Sequence, residues 1–437
     1  MSLQKNVQRM LLEKPDPGRI ARVLLLVLIK TFLTPGSSFG TRSEKRLSLV
    51  LYDHARKFFK GIAGLDRASG FHRAPGFHRD GRSVFTSLFA PTELVYAFDF
   101  LPFSLEILAA VAASMELAPE LLSRAEHNWL STDFCSFHRA YMELVTAGML
   151  PKPSFLLATS HTCDGTFKSF SHVSAHIRSP FLLIDTPYHN DGEAVRYLAG
   201  QLAEAAARIE EITKTVLKKE KLERAFHFSN QARAALMEIN ELKKSPLPLM
   251  YGEESLAFVL ISGNLMGSAS GVTLFESYRK ELGERLRKGY NGIEGKKRIL
   301  WLHLKPFFPS TLMRYLEREL KAVVVAEEIN SVYWDELDMN DPWTSLARKL
   351  LSNYWVGNIE KRLKYIRRTI EEYRIDGVIH FSHWGCRQSN GGVRLIKDTV
   401  QEYGIPFLNL DGDCVDPRNY SEGQYVTRLE GFMEIMG

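Results

Sequence analysis

Ser154-Phe155-Leu156-Leu157-Ala158-Thr159-Ser160-His161-Thr162-Cys163 and Gly377-Val378-Ile379-His380-Phe381-Ser382-His383-Trp384-Gly385-Cys386 read alike. Each is an apolar run of strand length, a Ser-His pair, then a cysteine among polar or glycine residues. Such runs predict buried strands. Four more candidates share the pattern: Phe181–Asp185, Ile299–Leu304, Val323–Ala326 and Phe407–Leu410. Between them lie helical patterns, one from Glu193 to Lys221 and another from Trp355 to Tyr373. Strands alternating with helices predict βαβ units and parallel sheets. In such sheets ligands collect at the carboxyl ends of strands, which is where Cys163 and Cys386 stand.

The two halves rhyme. Cys135 and Cys163 are 28 positions apart, as are Cys386 and Cys414. In the first half the strand before Cys163 is followed by one ending Ile184-Asp185-Thr186-Pro187-Tyr188. In the second, the strand before Cys386 is followed by one ending Leu410-Asp411-Gly412-Asp413. The expected fold is α/β, with duplicated flavodoxin- or Rossmann-like parallel-sheet units behind a helical N-terminal region. Pro246 and Pro248 end a helix and suggest a boundary. The expected division is an irregular helical extension over 1–83, a first α/β domain over 84–248 and a second over 249–437.

Composition narrows the function. A chain of 437 residues is long for one core. Its 45% hydrophobic and 24% charged residues are those of a globular protein, and a formal charge of +5 carries no nucleic-acid footprint. Four cysteines are too few for a disulfide framework and point to a reducing, cytoplasmic setting. The apolar run Val23–Leu33 falls short of the roughly 20 residues a membrane span needs and lacks a cleavage site. No G-x-x-x-x-G-K-[ST], strand-borne G-x-G-x-x-G, C-x-x-C, G-x-S-x-G or H-E-x-x-H is present. The repeat Gly70-Phe71-His72-Arg73 and Gly76-Phe77-His78-Arg79 reads as a loop, with two arginines able to meet a phosphate.

Free cysteines are often small buried hydrophobes. Against that reading, Cys135, Cys163 and Cys386 are flanked by polar and Gly residues. Thiolates far apart in sequence and gathered by the fold also suit an iron–sulfur cluster. A His–Cys pair such as His161 and Cys163 could instead make a nucleophile. Residue types alone leave these open.

Longer matches add a resemblance. Ala90-Pro91-Thr92-Glu93-Leu94-Val95-Tyr96-Ala97-Phe98 with Leu101-Pro102, then Asp133-Phe134-Cys135-Ser136-Phe137, Gly148–Pro153, Cys163-Asp164-Gly165, Asp185-Thr186-Pro187-Tyr188 and Trp384-Gly385-Cys386-Arg387-Gln388 are its segments. The closing run Gly404-Ile405-Pro406 through Asp411-Gly412-Asp413 to Thr427-Arg428-Leu429-Glu430 completes it. Over residues 84–437 the chain resembles the cluster-bearing subunits of 2-hydroxyacyl-CoA dehydratases, a family that includes class I benzoyl-CoA reductases and double-cubane cluster proteins.

The resemblance implies that Cys135, Cys163 and Cys386 hold one [4Fe–4S] cluster, with one iron free of cysteine. A double-cubane [8Fe–9S] cluster is the alternative. It implies a lyase that removes water from a 2-hydroxyacyl-CoA through a ketyl radical. A separate ATP-hydrolysing activator with its own [4Fe–4S] cluster would inject the electron, and a homologous or identical second subunit would complete the enzyme. Alternatives are a low-potential reductase of an aromatic acyl-CoA or small unsaturated substrate, and a non-catalytic cluster-bearing partner. Glu93, Glu106 and His138 are candidate bases for the 3-proton, and Ser87 a hydrogen-bond donor to a substrate oxygen. Arg73, Arg79 and Arg139 are candidate CoA phosphate contacts. The family usually has a small residue or Gly near Phe98-Asp99-Phe100, so these aromatics are expected to narrow the pocket or change its substrate. Cys414 stands outside the family line, as a bystander or an extra ligand.

Overall fold

The computed structural model describes residues 42–59, 82–128, 130–290, 292–293, 295 and 297–437. The run Val23–Leu33, the Gly70–Arg79 repeat with Arg73 and Arg79, and most of the extension over 1–83 lie outside these. Among the described residues no helix is long and apolar enough to cross a membrane.

After α1 (Arg42–Phe59) the chain runs β1 (Ser83–Thr86), α2 (Thr92–Ala97), β2 (Leu101–Ser104), α3 (Leu105–Ser114), α4 (Ala118–His127), α5 (Ser136–Thr146), β3 (Phe155–Thr159), α6 (Asp164–Ile177), β4 (Phe181–Ile184), α7 (Gly192–Thr213) and α8 (Lys219–Lys243). It continues, short turns aside, through α9 (Phe258–Leu265), α10 (Ala269–Arg287), β5 (Lys297–Leu302), β6 (Ala322–Glu327), α11 (Pro342–Leu351), α12 (Glu360–Tyr373), β7 (Gly377–His383), α13 (Arg387–Asn390), α14 (Val393–Gln401), β8 (Phe407–Gly412) and α15 (Glu422–Met436).

Two four-stranded sheets result, ordered β2-β1-β3-β4 and β6-β5-β7-β8. Every pairing is parallel. The shared order is that of a flavodoxin-like unit, in which the chain reverses direction between its first and third strands. The duplicated α/β expectation is therefore met in topology.

The apolar runs are continuous because both faces of each sheet are covered. Along β3, Leu156 and Ala158 join one core cluster, while Phe155 and Leu157 join another under α7 and α8. The first of these clusters also holds Ile299, Trp301, Ile379 and Phe381 of the second sheet, so the two units share a core. That shared core fixes the strand ends of one unit against those of the other. A further helical cluster joins α8 to α10 around Phe258, Phe275 and Tyr278.

Three expectations differ from the observed elements. β1 and β2 were not foreseen: each has four residues, and β2 carries Pro102, tolerated because β2 is an edge strand. The single helix expected from Glu193 to Lys221 is broken after Thr213, where Lys214 takes a left-handed conformation with φ +54°. Branched Thr213, Thr215 and Val216 disfavour continuation there, and Glu210 accepts a hydrogen bond from the Leu217 amide at 2.6 Å. The helix expected from Trp355 starts instead at Glu360, after Gly357 at φ +79°.

Candidate functional site

The carboxyl end of β1 leads to Ser87, and that of β3 to Thr159–Cys163. In the second unit β5 leads to His303, and β7 ends at His383 just before Cys386. All of these border one cleft, closed by Ile107 of α3, Val259 of α9, Phe307 and Trp355. The cleft thus lies between the direction-reversal points of both sheets, where such sheets bind ligands.

Cys135, Cys163 and Cys386 all line it. Each occupies the residue before a helix: Cys135 before α5, Cys163 before α6 and Cys386 before α13. Such positions present free amides to an anion. The Ser389 amide donates to Cys386 Sγ at 3.4 Å. Gly165 and Thr166 amides pull on Cys163, and Phe137 and His138 amides on Cys135. Burial acts the other way. It pushes the Cys386 thiol up to about 11 and raises Cys135 and Cys163, and the charges of Cys163 and Cys386 further raise Cys135. The three thiols therefore sense one another across the cleft. Gly385, at φ +72°, brings their loops together: a Cβ there would stand 3.1 Å from Asp133 O and from Cys135 N and Cα.

Each thiol also meets a histidine. His383 Nε2 lies 3.3 Å from Cys135 Sγ, His138 Nε2 3.2 Å from Cys163 Sγ, and His303 Nε2 3.8 Å from Cys386 Sγ. The Cys414 amide donates to His383 Nδ1 at 3.1 Å. That leaves the proton of neutral His383 on Nε2, facing Cys135. His138 Nδ1 is 2.6 Å from the Tyr141 hydroxyl. Burial lowers all three imidazoles, His138 to about 4, so they stand as neutral groups at neutral pH.

Of the candidate bases, Glu106 and His138 line the cleft and Glu93 does not. Burial raises the Glu106 carboxyl to about 7, against the pull of His138 and with a push from Cys163. Ser104 Oγ donates to it at 3.0 Å. Glu93 is wholly buried elsewhere, ion-paired with Lys349 and accepting from Ser229 Oγ at 2.5 Å. Burial pushes its carboxyl up, but Lys349 outweighs this and holds it low. Ser87 lines the cleft, and its Oγ accepts from the Thr159 amide at 3.3 Å.

Arg139 is buried and spent on Glu126 and the Phe134 carbonyl, so it presents no cation to a phosphate. Phe98 and Phe100 lie in the core under α7 rather than in the cleft wall, so they do not narrow it. Between them Asp99 pairs with Lys221 and Arg224. Cys414 is buried in the shared core and absent from the cleft lining, with its thiol raised chiefly by burial. Asp413 accepts from Ser136 Oγ at 2.6 Å, tying the C-terminal loop beside Cys135.

Sequence reading missed His303, Trp355 and the matching of a histidine to each thiol. One signal was available: His303 belongs to the carboxyl end of a recognised strand pattern, the same placement that singled out Cys163 and Cys386. Among the described residues no three His, Cys, Asp or Glu are close enough to share a single metal ion.

Residues 87–436 match the family described as 2-hydroxyglutaryl-CoA dehydratase, D-component. The chain is 25% identical over 346 residues to the (R)-phenyllactyl-CoA dehydratase alpha subunit of Clostridium sporogenes, covering 75% of this chain and 83% of that one. It is 25% identical over 370 residues to the (R)-2-hydroxyisocaproyl-CoA dehydratase alpha subunit of Clostridioides difficile, covering 80% and 89%. A benzoyl-CoA reductase subunit of Thauera aromatica is 24% identical over 387 residues, covering 80% and 88%. With the strand ends of both units gathered on one thiol-lined cleft and residues 87–436 matched throughout, the chain belongs to the 2-hydroxyglutaryl-CoA dehydratase D-component family.

Proposed function

We propose that this chain is the cluster-bearing subunit of a 2-hydroxyacyl-CoA dehydratase, working with a homologous or identical subunit and an ATP-hydrolysing activator. The observation that carries the reading is the meeting of three helix-capping cysteines with Glu106 in one cleft. The donor set suits an iron–sulfur cluster. It consists of three thiols lining one cleft, with the Ser389 amide turned toward Cys386 Sγ and the His383 Nε2–H toward Cys135 Sγ. Cys135, Cys163 and Cys386 would hold a [4Fe–4S] cluster. When bound it would supply an iron without a cysteine ligand, able to polarise the thioester carbonyl and pass it one electron.

The remaining steps belong to side chains. Ser87 Oγ already accepts a hydrogen bond, and its own proton donates to the substrate's carbonyl oxygen. Glu106, poised near neutrality, takes the proton from C3. The C2–O bond breaks, the same carboxyl returns that proton to the departing hydroxide, and the product gives back the one electron, releasing water and the enoyl-CoA. His138 has both ring nitrogens engaged, by Tyr141 and Cys163, and serves as a support rather than the base. The apolar walls formed by Ile107, Val259 and Phe307 exclude water from this exchange.

A reductase acting on an aromatic acyl-CoA is the second reading, favoured by the likeness to the Thauera aromatica benzoyl-CoA reductase. Turnover of a 2-hydroxyacyl-CoA by the anaerobic complex, with ATP counted per product, tests the choice. Dehydration returns its electron and needs ATP only to prime the enzyme. ATP use that tracks each product formed supports the reductase instead.

A further inference from the structure

The three imidazoles beside the thiols are not held alike. His138 Nδ1 meets the hydroxyls of Tyr141 and Ser169 at 2.6 and 2.9 Å, and a hydroxyl can donate or accept. His303 Nε2 stands farther from its sulfur, 3.8 Å from Cys386 Sγ. His383 Nδ1 instead meets the backbone amide of Cys414 at 3.1 Å, and an amide can only donate. The neutral ring therefore carries its proton on Nε2, 3.3 Å from Cys135 Sγ.

Both ends of this contact are held in one frame. Asp413 Oδ1 accepts from the Val415 and Asp416 amides at 2.7 and 2.8 Å, closing the turn around Cys414. It also accepts from Ser136 Oγ at 2.6 Å. Ser136 follows Cys135, so one carboxylate ties the loop of the amide to the loop of the sulfur, across the two units. The Cys414 carbonyl accepts from the Phe307 amide at 2.8 Å, which holds that residue from its other side. The His383 amide donates to Ser389 Oγ at 3.1 Å, and the Phe137 ring packs edge-on against the imidazole with centroids 5.3 Å apart. His383 is 1% exposed, so bulk water does not compete for its N–H.

We infer that His383 is a positioning residue for the bound cluster, holding an N–H on Cys135 Sγ so that the cluster is more readily reduced. This rests on the cluster reading above. A hydrogen bond to a ligand sulfur stabilises its negative charge, which is larger in the reduced cluster, and so raises the reduction potential. The electron that primes the enzyme then needs a less strongly reducing donor than it would without this contact. The same frame gives Cys414 its part: its amide sets the tautomer of His383, while its sulfur packs in the shared core.

The test is an EPR-monitored redox titration of the full chain purified without oxygen, as wild type, His383→Asn and His383→Gln. Asn keeps an acceptor for the Cys414 amide but is too short to bring an N–H to the sulfur. Gln is long enough to bring one. At a fixed solution potential the Asn variant should show a ratio of reduced to oxidised cluster about tenfold lower, a midpoint about 59 mV more negative for one electron. Gln should recover most of that loss, which a merely structural role would not produce. A second readout needs no Asn variant: with histidine nitrogens isotopically labelled, pulsed EPR of the reduced wild type should show a nitrogen coupling that His383→Gln lacks. Where the Asn variant does not keep its iron, this coupling decides. Equal midpoints in the three iron-loaded proteins, or no coupling that separates wild type from Gln, overturns the role of His383 alone. Loss of iron from both variants overturns it as well, since the ring would then serve assembly. Folded wild type without iron overturns it together with the cluster reading.

Discussion

Glu93 and Glu106 stand thirteen positions apart, and both begin short helices after a parallel strand. Burial acts on both with opposite results, because only Glu93 has a cation beside it. Glu106→Gln should lower turnover about 10²–10⁴-fold while acyl-CoA binding persists, as steady-state kinetics and calorimetry will read. A base raised to about 7 must be deprotonated to act. The rate should therefore fall as pH drops through 7, and that limb should vanish in the variant. Glu93→Gln leaves Lys349 buried without its partner. It should cost about 3–5 kcal/mol in denaturant unfolding, with no change in the pH limb. Cys414→Ala should keep its iron, since that sulfur is packed in the core and absent from the cleft lining.

Sequence could not separate these residues. Ser87, Glu93, Glu106 and His138 all carry suitable chemistry within one segment. Glu93 is kept from the cleft by Lys349 of α11 and Ser229 of α8, both brought in by tertiary packing.

At the scale of elements, the strand ends were the legible part. Runs such as Phe155–Thr159 and Gly377–Ser382 are mostly apolar and buried throughout because both faces are covered, and a cysteine just beyond such a run is conspicuous. The edge strand β2 was illegible, since four residues with a proline carry neither length nor alternation. Helix ends also escaped, because the break at Lys214 depends on Glu210 reaching forward to accept from the Leu217 amide. The loop before α13 gives the element-level prediction. Gly385→Ala places a Cβ against fixed backbone at Cys135 and in a left-handed conformation. It should cost about 1–3 kcal/mol and loosen the approach of Cys386 to Cys135. Thermal melts will show the first effect and iron content the second.

Across the whole molecule, two units of the same strand order share one core and present their carboxyl ends to one cleft. The first supplies Cys135, Cys163, Ser87 and Glu106; the second supplies Cys386, His303 and His383. Neither unit completes the thiol set by itself. The halves were readable as a repeat, but nothing along the chain says that they face each other. That follows from the shared apolar face of β3, β5 and β7 and from links such as Ser136 to Asp413.

If the proposed function holds, the thiol-lined cleft carries an iron–sulfur cluster. Iron and acid-labile sulfide, with EPR, should be measured on the protein purified without oxygen and on Cys163→Ala. About four irons and four sulfides per chain, lost in a variant that remains folded by circular dichroism, is the predicted result. Folded protein without iron or sulfide, or a Cys163→Ala variant that keeps both, would contradict it.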